Sequence, residues 1–132
     1  MNQGKPYSAA PQLPNLEKRT ADILKMTKLE DADIASLLND IKGYAEDYGK
    51  RLNTSQLRNV FSKVLKAEKV IDLQLIRPKL MYVAARQQDR EAKKVIEFFE
   101  KVISQVKDTE GVKNYKTFME AFVAYHKYLN PK

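Results

Sequence analysis

NTSQLRNVFSKVLKAEKVI, residues 53–71, decides the fold class. Leu57, Val60, Phe61, Val64, Leu65 and Ile71 recur every three or four positions, and at about 100° per residue they gather on one side of a helix. Ser55, Asn59, Ser62, Lys66 and Lys69 fall opposite, with Arg58 and Lys63 on the flanks. Asn53 opens this helix. Gln56 stands three positions later, so N-T-S-Q reads as a variant capping box.

The same periodicity runs outward in both directions. Upstream, Ile34, Leu37, Leu38, Ile41, Ala45 and Tyr48 form a second stripe. Asp31 or Asp33 is expected to cap it, and Gly49 to end it in a left-handed conformation. Before it, a short helix from Asn15 carries Leu16, Ile23 and Leu24. Downstream, Asp72 breaks or caps, and Ile76, Leu80 and Val83 resume a helical pattern. Pro78 there marks either a first turn or a kink. Asp89 caps a helix burying Ala92, Val95, Ile96, Phe99, Val102, Ile103 and Val106. DTEG at 108–111 reads as a loop. The final helix carries Tyr115, Phe118, Met119, Phe122, Val123, His126 and Leu129. No segment alternates apolar and polar residues, so no strand is expected. The expected architecture is an all-α, single-domain bundle of five to six helices over residues 15–132, after a proline-rich flexible arm over 1–14.

Composition agrees with a folded chain. Of 132 residues 43% are hydrophobic and 31% charged, and there is no cysteine. Disulfides and thiolate metal sites are thereby excluded. No run nears the roughly 20 apolar residues of a membrane helix, and MNQGKPYSAAPQLPN lacks a signal-peptide core. A cytoplasmic protein without membrane contact is the simplest expectation.

Charge is unevenly placed. Residues 50–94 hold twelve Lys and Arg against Glu68, Asp72, Asp89 and Glu91, so the whole net charge of +7 arises there. A local excess of cations is the footprint of a polyanion partner, and also of a well-solvated surface. On a helix through residues 79–90, Lys79, Tyr82, Arg86 and Arg90 would share one strip. Lys neutralises a phosphate as a point charge and Arg grips one through two N–H groups. Tyr82 could stack on a base, though half-buried packing is the more ordinary role. For the cations, spacing alone does not separate phosphate contact from solvation. Enzyme readings find little. His126, the sole histidine, has no His or Cys partner for a metal and sits on an aromatic stripe, where a hydrogen-bonded packing role is expected. The acidic pairs Glu30–Asp31 and Glu46–Asp47 are sequence neighbours and point apart. No glycine-rich phosphate loop follows a strand. No catalytic residue, cofactor or metal site is assigned.

Three stretches in this order, LNTSQLRNVFSKV at 52–64, IRPKLMYVAAR at 76–86 and FMEAFVAYHKYL at 118–129, resemble the small-subunit family of type III-A CRISPR (Csm) ribonucleoproteins. The resemblance implies a helical, non-catalytic subunit that stacks along guide RNA and target RNA beside other subunits of the complex. It points to Arg58, Lys79 and Arg86 as residues facing RNA backbone or neighbouring subunits. Ala85 departs from the glycine that many relatives carry before that arginine, and its Cβ stands against any close backbone approach that the glycine would permit. Together, Arg58, Lys66, Lys69, Lys79, Arg86 and Arg90 are expected to form a sequence-independent RNA surface. Self-association is expected as well. The other reading is a protein–protein adaptor without RNA contact, docking through Tyr125 and Tyr128 on the last helix.

Overall fold

A computed structural model describes residues 13–131. The arm expected over residues 1–14 therefore lies, up to residue 12, outside the described residues. Every regular element among the described residues is helical. The first is the single turn α1 (Thr20–Ile23), set between 3-10 turns at Asn15–Lys18 and Met26–Lys28. Six longer helices follow: α2 (Asp31–Tyr48), α3 (Thr54–Lys66), α4 (Val70–Gln74), α5 (Arg77–Ala85), α6 (Arg90–Ser104) and α7 (Thr109–Leu129). The bundle is all-α, as the stripes require.

Local chemistry sets most boundaries. Asn53 caps α3 by accepting from the Gln56 N–H at 2.9 Å. Asp89 does the same for α6 through Ala92 N–H, and Asp108 for α7 through Gly111 N–H. The DTEG stretch is thus a cap and first turn rather than a loop. Pro78 occupies the opening turn of α5, where its missing N–H costs nothing. Asp72 starts α4 by accepting from the Glu68 and Lys69 N–H groups at 2.9 and 3.0 Å. Those bonds hold its carboxyl below the usual carboxylate range.

Four expectations are corrected. The segment from Asn15 is three short turns, not one helix, although Leu16 and Ile23 are buried as its pattern demands. Neither Asp31 nor Asp33 caps α2. Glu30 holds the cap position without a side-chain bond, and both aspartates sit in the first turn, where the helix dipole favours anions. The α3 stripe stops at Lys66, because Ala67 turns extended. Leu65 and Ile71 are left 47% and 57% exposed. Gly49 is not left-handed, with φ −97° and ψ 0°. It is needed for space: a Cβ there would stand 3.1 Å from Phe122 Cζ of α7.

α7 is the central post. α2 and α3 pack along it and α4 touches it, while α5 packs on α6. Aromatic rings fill the interval between α6 and α7. Phe99 meets Phe118 and Phe122 edge-on, with centroids 5.9 and 4.9 Å away, and Tyr44 of α2 meets Phe98 and Phe122. Each fully buried polar group on this post has a partner. Tyr115 donates its hydroxyl to Phe99 O at 3.1 Å. Asn114 accepts from both Thr27 N–H and Thr27 Oγ1 at 2.9 Å, which fastens the N-terminal turns to α7. His126 Nε2 lies 3.0 Å from Gly49 O. A carbonyl only accepts, so Nε2 is protonated and donates to it. Its burial, 3% exposed, pushes the imidazole below its ordinary range. The packing role expected of His126 is the one it has.

Two outcomes follow from these buried groups. Asn114→Ala strands the Thr27 N–H and should cost about 1–3 kcal/mol in urea denaturation. The folded state resists protonating His126, so below about pH 6.5 the unfolded chain binds the extra proton. Stability should therefore fall on acidification by up to about 1.4 kcal/mol per pH unit. His126→Gln should flatten that segment of the curve of urea midpoint against pH.

Candidate nucleic-acid interface

The cations of the middle third do not lie along one helix. α5 ends at Ala85, Arg86 is its C-cap, and Arg90 opens α6 after a bend. The strip expected through residues 79–90 is therefore broken before Arg90. What forms instead is a shallow groove between α3 and α5. Gln56, Asn59, Val60 and Lys63 of α3 face Lys79, Tyr82, Val83 and Arg86 across it. Arg86 also lines an adjoining polar hollow with Arg51, Asn53, Gln87, Gln88 and Asp89. Arg51, Lys63, Lys79 and Arg86 thus occupy connected ground.

The remaining predicted cations stand elsewhere. Arg58 follows Leu57 by one position, so it lies on the opposite flank of α3 from Lys63. Lys66 ends α3 on its outer side, and Lys69 holds the cap position of α4. All six, Arg58, Lys66, Lys69, Lys79, Arg86 and Arg90, are exposed. Among the described residues, the ion pairs are Arg19 with Asp22 and Asp40, and Arg77 with Glu100. Among the described residues, no side chain of the six forms an ion pair with a carboxylate. Arg77, which opens the RPKLMYVAAR stretch, is held at 2.8 Å by Glu100 and also donates to Gln74. It fastens α5 to α6.

Tyr82 is 63% exposed, which overturns the half-buried packing expected of it. Its hydroxyl accepts from Arg86 Nη1 at 3.1 Å, and the Arg86 guanidinium carbon sits 5.6 Å from the ring centroid. On the last helix, Tyr125 packs partly against the core. Tyr128 is 74% exposed, with Lys42 Nζ 5.8 Å from its ring.

Sequence reading missed one cation of the groove, Lys63, and two residues of the adjoining hollow, Arg51 and Gln87. Lys63 was legible as a flank residue of α3, but its partner helix was not. Arg51 precedes the Asn53 cap, and no periodicity marks it. Gln87 was missed altogether. Its amide donates to Val83 O at 3.1 Å and to Gln56 Oε1, and its Oε1 accepts from Asn53 N–H at 3.4 Å. Gln87 thereby pins the start of α3 to the end of α5 and takes the backbone donor that Gln56 would have served in a capping box.

The arrangement defines an all-α protein with a basic, carboxylate-poor groove and no helix long and apolar enough to cross a membrane among the described residues. The family described as Csm2 Type III-A matches residues 31–132, over three quarters of the chain. The chain belongs to that family and is a small subunit of the type III-A CRISPR (Csm) complex, in association with its other subunits. The match begins at α2, earlier than the three motifs alone suggest. No curated protein and no solved structure shows a comparable match.

Removing the amide bridge should loosen the groove. Gln87→Ala is expected to cost about 1 kcal/mol and to speed hydrogen exchange at the Asn53 amide, read by NMR, while α7 amides keep their protection.

Proposed function

We propose that this subunit is non-catalytic and binds the sugar–phosphate backbone of guide and target RNA along the α3–α5 groove, without reading bases. The observation that carries the reading is the set Lys63, Lys79 and Arg86 on the facing walls of one groove, with no carboxylate among the groove's lining residues. A phosphate arriving there meets cations that need not first give up an ion pair. Arg51 extends the path past Arg86, where Asp89 tempers the charge while its carboxylate caps α6. Arg58, Lys66, Lys69 and Arg90 act as flanking cations that touch RNA or adjacent subunits outside the groove. Short polar side chains such as Asn59 and Gln56 suit sugar and phosphate contacts.

Binding of this kind is electrostatic, so affinity falls steeply with salt. One copy contacts few phosphates and binds weakly. Self-association along the RNA raises the effective concentration of each copy for its neighbour. The helical region 15–132 acts as one domain in a cytoplasmic complex. An adaptor reading draws on Tyr128, an exposed aromatic on α7, as a docking residue, with Tyr125 beneath it. Nuclease treatment separates the two: an adaptor keeps its partners on co-purification, and an RNA-tethered subunit loses them.

Lys79→Glu with Arg86→Glu should abolish binding to single-stranded and guide-paired RNA, measured by fluorescence anisotropy, with helicity unchanged by circular dichroism. The neutral pair Lys79→Gln and Arg86→Gln should make the log K against log salt slope shallower by about 0.7–0.9 for each lost phosphate contact. Unaltered binding by the charge-reversed protein would remove the groove from this reading.

A further inference from the structure

Among the described tyrosines, Tyr82 and Tyr128 are the exposed ones, and Tyr82 alone lines the cationic groove. An exposed ring with little packing adds little to the core, so its placement calls for another reason. Arg86 stands four residues on, one helical turn above it. The C-cap backbone of Arg86, φ −90° and ψ −4°, keeps the helical direction through this step. Its guanidinium is held twice by the same side chain: Nη1 donates to the Tyr82 hydroxyl, and the cation lies against the ring.

We infer that Tyr82 is a positioning residue, which holds the Arg86 guanidinium at the junction of the groove and the adjoining polar hollow. The inference rests on the RNA-binding reading above. A free arginine samples many rotamers, and ordering it on binding weakens affinity. The planar guanidinium loses less when its orientation is set beforehand. One N–H is used by the tyrosine, and the others stay available to a phosphate. A phosphate can thus join the arrangement without displacing it.

A double-mutant cycle tests this, using a fluorescein-labelled oligouridylate at low salt. Tyr82→Leu should weaken binding by about two- to fivefold, the range of an exposed cation–aromatic contact. In an Arg86→Gln background it should change nothing, because no guanidinium remains to be placed. Tyr82→Phe keeps the ring and loses the hydroxyl, so it should fall between wild type and Tyr82→Leu. Circular dichroism should show full helicity throughout, since the side chain is exposed. An undiminished loss in the Arg86→Gln background overturns the inference: Tyr82 would then touch RNA itself. A matching loss of the Tyr82 effect on an abasic probe would identify that contact as base stacking. If Arg86→Gln alone leaves affinity unchanged, the assignment of Arg86 to RNA fails first, and the positioning role falls with it.

Discussion

The structure depends on burying one face of α7. On the buried face of this 21-residue helix, a polar side chain without a partner would cost a sizeable part of a small domain's stability. α7 meets this constraint by sending each buried polar side chain to a different neighbour. Tyr115 reaches α6, Asn114 reaches the turn before α2, and His126 reaches the end of α2. These bonds fix which elements lie beside α7 and at what height. Apolar packing alone is less selective, since one ring or branched chain fills a gap about as well as another.

Around that post the charges are sorted. Arg19 meets Asp22, Asp40 and Ser36, and Arg77 meets Glu100; in both cases the cation ties one helical segment to another. The cations of the α3–α5 groove have no such task. The small subunit therefore separates arginines that stabilise its own fold from arginines and lysines free to meet an outside anion. Composition does not distinguish the two groups, since Arg77 and Arg86 lie in one ten-residue stretch.

Much of the fold was legible from residues 53–129. The stripes of α6 and α7 and the caps at Asn53 and Asp89 are local features, where one residue's chemistry acts within a turn, and they stand as read. His126 was also legible, because a lone imidazole on an aromatic stripe has few roles open to it. What was not legible depends on crossing partners. Nothing near Gly49 says that Phe122 lies against it, so its presence read as a demand on φ rather than on space. The continuity imagined through residues 79–90 failed because Arg86 and Gln87 bond back onto α5 while Asp89 starts a new helix. Of the site, Lys79 and Arg86 were read from the strip. Their meeting with Lys63 across a groove is tertiary, and one helix's periodicity carries no record of it.

The two walls of the groove belong to different halves of the molecule. α3 leans on α7, α5 leans on α6, and between α6 and α7 stand the rings of Phe99, Phe118 and Phe122. The gap between the basic walls is thus gauged from the interior, by the thickness of a fully buried aromatic layer. Relatives with smaller side chains in that layer would bring the walls closer, and a bulkier layer would part them. Divergence deep in the interior could in this way retune the outer surface while every cation stays in place.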